Sequence, residues 1–393
     1  MTSVIMAESL SPRVCYMQQT WNTGDSSSID SLVELLRTVR AQDPSLQHIV
    51  LERRRLPPWY IQALARAIAE NKYVTKLRLC RVGVDDTAAE ALSDCLRRSK
   101  SLFDVDLSRN RLTGRGAKVL AKALQEAGRR SEVRRLNLEG NHIDDDGIQA
   151  ICLATPRTKI SVLRLGKNRI GLAGIHSVAH MLRQESAFCP LVSLCLRSNK
   201  LGNEGAMVLA DALEDNTTLQ FLYLSRTEMN NAGAERLALA LTRNQHLRTL
   251  DLRRNLVSDK AAQAFVAALQ CNDYFTKLKI RHTAVSDAVK RELLELLIMN
   301  SYGPDLARQT KQALLALKAL ESVPIADKTF DGSTECIICF DSLSDCALLP
   351  CKHFSCCQNC AQRLKECHLC RSPIVNIFPM DPLGSTASAS LDV

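Results

Sequence analysis

The sequence predicts an α/β fold in which a long repetitive solenoid precedes a small cysteine-rich domain. Three observations lead to this prediction: a short apolar pattern that recurs about every 28 residues, an aromatic content of 4%, and an uneven distribution of 16 cysteines. At 393 residues the chain is too long for one ordinary compact core. A low aromatic content suits many small units rich in leucine and alanine better than a sandwich or barrel.

The recurring pattern has three apolar positions, with two residues between the first pair and one between the second. Alternation of this kind predicts a short strand with one buried face. The middle positions lie 27 to 31 residues apart and are Ile49, Leu77, Val105, Leu136, Leu163, Leu194, Leu222, Leu250 and Leu278. Nine units with so little drift in spacing indicate internal repeats.

Two further positions recur after each predicted strand. Three residues after the last apolar position, an amide side chain can bond backbone groups where the chain leaves the strand. This position is Asn110, Asn141, Asn168, Asn199 and Asn255 in five units. Six residues later a glycine opens a helix or permits a tight turn, and it is Gly116, Gly147, Gly174, Gly205 and Gly233. The residues that follow have apolar positions at helical spacing.

Residues 46–304 resemble leucine-rich repeats of the ribonuclease-inhibitor-like class. The resemblance implies a horseshoe-shaped solenoid, with a parallel sheet on the concave side and helices on the convex side. Four units depart from the asparagine pattern and carry Arg54, Val82, Thr227 and Thr283 instead. Terminal units often differ because they cap the core, but Thr227 is internal and puts the asparagine-type hydrogen bonding in question there.

The remaining segments are assigned from composition and periodicity. Before the repeats we predict a disordered N-terminus at residues 1–28 and an amphipathic capping helix at 29–45. After the repeats we predict an amphipathic helix at 305–321, a linker at 322–335, the cysteine-rich domain at 336–379 and a disordered tail at 380–393.

Side chains between the strand leucines would project from the concave face. The basic ones are Lys76, Arg78, Arg135, Arg164, Arg197, Arg253, Lys277, Lys279 and Arg281. They are interrupted by Asp104, Asp106, Glu139 and Asp251, and Phe221 and Tyr223 offer an apolar anchor. The hypothesis is a protein substrate on the concave face, with a preference for acidic surfaces. The alternative is a solvated charged surface without such a preference.

Charge and hydropathy bear on partners and location. Residues 331–393 carry a net charge of −3 and the whole chain +9, so residues 1–330 carry +12. No interleaved aromatic and basic residues accompany this charge, which disfavours nucleic acid as a direct partner. The first 14 residues lack a secretory pattern, and no stretch reaches the roughly 18 apolar residues of a membrane span. We therefore expect no membrane association and a cytoplasmic protein, with the nucleus as the alternative.

Nine of the 16 cysteines lie between residues 336 and 370, and the other seven are interpreted as buried small hydrophobes. The cluster reads Cys-x2-Cys-x11-Cys-x-His-x3-Cys-x2-Cys-x6-Cys-x2-Cys. Structural zinc prefers four thiolate or imidazole donors, so eight donors predict two Zn²⁺ ions. The predicted ligands are Cys336, Cys339, Cys351, His353, Cys357, Cys360, Cys367 and Cys370. Two independent fingers remain an alternative by spacing alone.

With this donor order the segment resembles a RING finger, and residues 349–371 are similar to the type at the end of inhibitor-of-apoptosis proteins. The resemblance implies a cross-brace of two zinc sites. One site would take Cys336, Cys339, Cys357 and Cys360, and the other Cys351, His353, Cys367 and Cys370. Cys346 would lie in a variable loop and would not be a ligand.

The RING resemblance implies recruitment of a ubiquitin-conjugating enzyme and positioning of its ubiquitin. Ile338 and Leu364 match the family's contacts with that enzyme, and Arg371 matches the catalytic cation that bridges enzyme and ubiquitin. His368 departs from the proline found in many members, which bears on the shape of the groove. Residues 373–379 alternate like a strand and are similar to the tails through which this RING type forms homodimers.

Together these features predict a RING-type ubiquitin-protein ligase whose repeats bind the protein substrate. The alternative is a non-enzymatic scaffold or inhibitor with a structural zinc module.

Overall fold

A computed structural model describes residues 13–17, 26–184, 189–322, 338, 346–349, 353–367, 371 and 373–379. The chain divides into two units, residues 1–307 and 308–393, and each is described by itself. No described helix is both long enough and apolar enough to cross a membrane.

The first unit contains a parallel sheet of ten strands whose spatial order follows the chain. The strands are β1 (Arg13–Met17), β2 (Leu46–Glu52), β3 (Lys76–Cys80), β4 (Asp104–Asp106), β5 (Arg135–Asn137), β6 (Val162–Arg164), β7 (Ser193–Cys195), β8 (Phe221–Tyr223), β9 (Thr249–Asp251) and β10 (Lys277–Lys279). Equivalent repeat positions stand side by side, as Leu77 beside Val105 and Leu222 beside Leu250. The predicted strands and their parallel sheet are therefore confirmed, and the structure adds the register.

Each strand from β2 onward is followed by a helix, and successive helices pack against one another. The helices are α1 (Ser26–Arg40), α2 (Pro58–Glu70), α3 (Asp86–Arg98), α4 (Gly114–Ala127), α5 (Asp145–Ala154), α6 (Leu172–Leu182), α7 (Gly202–Glu214), α8 (Asn231–Arg243), α9 (Asp259–Cys271), α10 (Asp287–Ser301) and α11 (Pro304–Ser322). The strand leucines and the inner faces of α1 to α10 form one continuous core. This is the α/β repeat solenoid that the sequence predicts.

The start of the chain differs from the prediction. Residues 13–17, placed in a disordered segment, form β1, and α1 begins at Ser26 rather than at residue 29. Pairing of β1 with β2 satisfies backbone groups that the first repeat strand would otherwise leave open at the edge of the sheet. Leu32 and Val39 of α1 are buried in the common core.

The recurring asparagine forms hydrogen bonds to the preceding repeat as well as to its own. The Asn110 amide nitrogen donates to the carbonyl oxygens of Leu107, in its own repeat, and Leu79, in the preceding repeat, at 2.9 and 2.7 Å. Its side-chain oxygen accepts three backbone N–H groups of that preceding repeat, from residues 82–84, at 3.0–3.1 Å. The predicted bonding to backbone is confirmed, and the structure adds that it joins neighbouring repeats.

Thr227, the internal departure, retains part of this bonding. Its hydroxyl donates to the Leu224 carbonyl oxygen at 2.8 Å, and its backbone N–H donates to Asn255 Oδ1 at 2.9 Å. Threonine therefore keeps the bond within its own repeat, and the next asparagine supplies the link between repeats.

A second asparagine ladder lies at the C-terminal ends of the helices and was not recognised in the sequence. Asn244 donates to the carbonyl oxygens of Leu213 and Asn216 at 2.6 and 2.8 Å, and it accepts from the backbone N–H of Leu247 at 2.8 Å. The buried members of this ladder are Asn71, Asn216, Asn244, Asn272 and Asn300. Their recurrence every 28 residues from 216 to 300 is the sequence signal that could have revealed it.

The recurring glycines open helices, which is one of the two roles predicted for them. All five lie in the first turn of a helix, and none of them has a positive φ. A Cβ on Gly147 would lie 2.7 Å from the Gly114 Cα, and one on Gly116 would lie 2.3 Å from Asp86 Oδ1. At Gly116 and Gly147 glycine is therefore needed because the preceding repeat approaches closely. Of the two predicted roles, the opening of a helix is confirmed and the tight turn is wrong.

We expect Gly147→Ala to lower the free energy of unfolding by about 1–3 kcal/mol, because its Cβ would meet backbone that cannot move aside. The matched control is Gly205→Ala, whose nearest neighbour would be the Leu201 Cβ at 3.1 Å. Urea denaturation of both variants measures the difference. An equal effect at the two positions would contradict the packing explanation.

Candidate functional site

Three short strands and one helical turn organise the described part of the second unit. The strands β11 (Cys346–Leu349), β12 (His353–Cys356) and β13 (Asn376–Pro379) form an antiparallel sheet with β11 in the centre. The helical turn α12 (Gln358–Ala361) follows β12 directly. The tail predicted as a strand from residue 373 is a strand from 376, and it pairs with β11.

Cysteines dominate the small core of this unit. Cys346, Leu348, Ala361 and Cys367 are fully buried, and Cys357 is 5% exposed. Cys346 lies on β11 beside Cys356 and not in a loop, so its predicted location is wrong. Three of the five buried side chains that the structure describes in this cluster are cysteines, so thiols make up much of the described core.

The same kind of backbone hydrogen bond begins at Cys357 and at Cys367. The N–H of Ala361 donates to the Cys357 carbonyl oxygen at 2.9 Å, and the N–H of Arg371 donates to the Cys367 carbonyl oxygen at 2.6 Å. The first bond closes a helical turn that contains Cys360. Side chains three residues apart on a helical turn, such as those of Cys357 and Cys360, lie on the same side, as a tetrahedral metal site requires.

The backbone segments before Cys367 and after Arg371 are also joined to each other. Glu366 forms a β-bridge with Pro373, and the N–H of Ile374 donates to the Lys365 carbonyl oxygen at 3.0 Å. The chain therefore enters and leaves the loop around Cys367 at one place. The buried Cys357 and Cys367 carry the thiols that structural zinc prefers. The described residues therefore fit the metal.

The other predicted ligands are described only in part. Cys336, Cys339, Cys351 and Cys370 lie outside the described residues, and His353 is described only as part of the backbone of β12. His368 also lies outside. The complete set of eight ligands stays a prediction.

The three predicted contacts with the ubiquitin machinery differ in exposure. Ile338 is 40% exposed, and Arg371 is exposed with φ at +56°. Leu364 is half-buried against the cysteine core, so one part of its side chain stabilises the domain and another part reaches solvent. All three positions can therefore be reached by a protein partner.

The basic side chains predicted on the concave face lie on the face of the sheet that points away from the helices. Many of them are neutralised by neighbouring carboxylates. Arg78 Nε lies 3.0 Å from Glu52 and 3.1 Å from Asp106, and Arg253 Nη2 lies 2.7 Å from Asp251. Lys76, Arg135 and Arg197 form further ion pairs with carboxylates of this face. Hydrogen bonding to Asp251, which is buried, raises the pKa of Arg253. The strand arginines therefore contribute less free positive charge than the sequence suggests.

A row of basic residues beside the sheet was missed in the sequence. Two residues after the third apolar position, every repeat has a left-handed turn residue, and six are basic with φ of 54–57°. We call these six the turn rim: Arg53, Arg81, Arg109, Lys167, Arg226 and Arg254. This conformation costs a residue with a Cβ about 1–2 kcal/mol, so the backbone alone would favour glycine, which occurs once, as Gly140. The sequence signal that could have revealed the turn rim is the recurrence of basic residues two positions after the third apolar residue of the repeat.

Comparison with protein families agrees with both units. A zinc finger of C3HC4 type (RING finger) matches residues 332–377, a range that contains all eight predicted ligands in that order of three cysteines, one histidine and four cysteines. A leucine-rich repeat matches residues 98–121, 133–152, 189–210, 215–238 and 243–266. The chain is thus a leucine-rich-repeat protein with a C-terminal RING-type zinc finger.

Curated relatives match one part or the other. The ribonuclease inhibitor of Sus scrofa is 30% identical over 199 residues, which cover 43% of this chain and 43% of that protein. The NACHT, LRR and PYD domains-containing protein 13 of Homo sapiens is 29% identical over 182 residues, which cover 44% of this chain and 17% of that protein. The E3 ubiquitin-protein ligase MGRN1 of Mus musculus is 39% identical over 57 residues, 14% of this chain and 11% of that protein. The chain spans less than half the length of each of them.

Proposed function

We propose that this protein is a RING-type ubiquitin-protein ligase that transfers ubiquitin to proteins bound by its leucine-rich repeats. The observation that carries the proposal is the RING finger itself, whose similarity to that of an E3 ubiquitin-protein ligase extends over 57 residues. The repeats supply a binding surface that is separate in sequence from the RING finger.

Each proposed role follows from an exposed side chain on a small scaffold. Ile338 and the exposed part of Leu364 contact the ubiquitin-conjugating enzyme through apolar surface. Arg371 donates hydrogen bonds to the enzyme and to ubiquitin, since its planar guanidinium can serve two partners at once. The backbone N–H of Arg371 donates to the Cys367 carbonyl oxygen, and this bond ties the backbone that carries the guanidinium to a proposed zinc ligand.

Two Zn²⁺ ions are part of the proposal. The first site uses Cys336, Cys339, Cys357 and Cys360, and the second uses Cys351, His353, Cys367 and Cys370. When bound, the metal holds these loops together and performs no chemistry on ubiquitin. Because thiolate ligands must stay reduced, we also propose a cytoplasmic location, which cell fractionation would test.

The first test is reconstituted autoubiquitination with a panel of conjugating enzymes. We expect Arg371→Ala to lower the rate by about tenfold or more while leaving zinc content and folding unchanged, because its side chain is exposed. Ile338→Ala should weaken capture of the conjugating enzyme. Arg363→Ala is the matched control, since Arg363 is an exposed arginine of the same domain without a proposed role.

Absence of ubiquitin chains with every enzyme in the panel, in protein shown to hold zinc, would overturn the ligase proposal in favour of a binding scaffold. Equal losses for Arg371→Ala and Arg363→Ala would remove the bridging role from Arg371.

We further propose a homodimer through the tail strand β13, whose outer edge is unpaired among the described residues. Light scattering of the full chain measures this directly.

A further inference from the structure

We propose that the part of the turn rim between β6 and β10 is an anion-binding site that recognises an acidic segment of a partner protein. This proposal rests on the proposed function in one respect, since it names the substrate feature that the ligase would select. The site itself is defined by the solenoid alone and lies within the first unit.

The geometry of the repeats places the charges. Equivalent positions of adjacent parallel strands lie about 4.8 Å apart, so the rim residues form a row along the edge of the sheet where the strands end. The five strand ends from β6 to β10 span roughly 19 Å. A cavity of about 390 Å³ lies there, and its cationic lining is Lys167, Arg197, Arg226, Arg253, Arg254 and Arg281.

Most of this charge is not compensated. Arg197 and Arg253 pair with Glu139 and Asp251 on the inner border. Lys167, Arg226, Arg254 and Arg281 form no ion pair with a described residue, and three of these four belong to the turn rim. The two paired arginines hold the bordering carboxylates, so those carboxylates do not cancel the four remaining cations.

The lining also contains hydrogen-bond donors suited to oxygen anions. Ser198 and Ser225 contribute to the cavity beside the guanidinium groups. Arginine forks bind carboxylates and phosphates in the same bidentate way, so glutamate, aspartate or phosphorylated side chains share the chemistry that this site recognises. The cavity lining contains no Phe, Tyr or Trp, and its one aromatic ring is that of His282, so a row of stacking platforms for single-stranded nucleic acid is lacking there.

The test measures binding of a fluorescent oligoglutamate peptide to the full chain at low salt, where surface electrostatics are screened least. We expect the double variant Arg226→Glu with Arg254→Glu to bind about tenfold more weakly or worse. The control is Arg66→Glu with Lys122→Glu, which makes the same change in net charge at exposed positions of α2 and α4. The control should bind like the wild type. Arg253 is left intact because it neutralises the buried Asp251.

Three outcomes would overturn the proposal: no binding of acidic peptide, equal loss in both double variants, or tighter binding of DNA than of acidic peptide through the same arginines. A further arm of the experiment measures the binding of a phosphoserine peptide whose other residues are uncharged. Tighter binding of this peptide through the same arginines assigns the natural anion to phosphorylated residues, and tighter binding of oligoglutamate assigns it to carboxylates.

Autoubiquitination by the same variants separates the two proposals. The rim variant should keep the autoubiquitination rate of the wild type, because the RING finger is untouched. If the wild type lacks ligase activity but binds the peptide through the rim, the function proposal fails while the anion site stands. If the ligase is active and the rim variant binds peptide normally, only the anion site fails.

Discussion

Removal of zinc is expected to unfold the second unit, abolish ubiquitin transfer and leave the solenoid folded. Three of the five buried side chains in the described part of its core are cysteines, and two of them, Cys357 and Cys367, are proposed zinc ligands that would lose their metal. Structural zinc contributes about 10–16 kcal/mol of apparent binding free energy in small zinc-finger peptides, far more than a core of this size. The loss of order should therefore be complete.

Hydrogen exchange before and after chelation measures this effect for each segment. Amides of β11, β12 and β13 should lose protection, while those of β3 to β9 keep it. Cys367→Ser should reproduce the loss because Cys367 is a proposed ligand and fully buried, whereas Cys271→Ser, at an exposed cysteine of α9, should have no effect. Retained protection in metal-free protein would contradict a structural role for zinc.

Asn110→Ala is expected to lower the free energy of unfolding of the solenoid by about 3–5 kcal/mol. The Asn110 side chain is buried and makes six hydrogen bonds to backbone groups of two repeats. Alanine would leave several of those groups buried without partners, and each such group costs about 1–3 kcal/mol. The effect should spread to neighbouring repeats, because repeat proteins derive stability from the interfaces between units.

Urea denaturation followed by circular dichroism measures this prediction. Asn137→Ala is the matched control, since the Asn137 side chain accepts a backbone bond from Glu139 at 3.1 Å on the outer face of the sheet, and its loss should be about 1 kcal/mol. Asn110→Thr should fall between the two, because Thr227 shows that a hydroxyl keeps the bond within the repeat. A loss in Asn110→Ala no larger than the control would mean that the ladder contributes little.

The cysteines outside the cluster were interpreted as buried small hydrophobes from their residue type alone, and the structure confirms this for some of them. Cys95 and Cys152 are buried as expected, and burial raises the pKa of the Cys95 thiol to about 12. Cys271 is exposed, so for this residue the interpretation as a buried hydrophobe is wrong. Cys271 is the last residue of α9 and lies beside the exposed Gln270, whereas the next residue, Asn272, is buried. Burial at the end of the helix therefore depends on the position of each residue and not on its type.

The sequence by itself determined the repeats, the strand in each repeat, the RING-type zinc finger and the asparagines that follow the strands. These features are local or periodic, so a fixed spacing along the chain becomes a fixed position in the solenoid. The tertiary structure alone decided which charges remain free. Arg253 and Arg254 are neighbours in sequence, but one is paired with the buried Asp251 and the other projects from a left-handed turn without an ion pair to any described residue. That difference depends on which side chains adjacent repeats bring together, and residue type and spacing do not contain it.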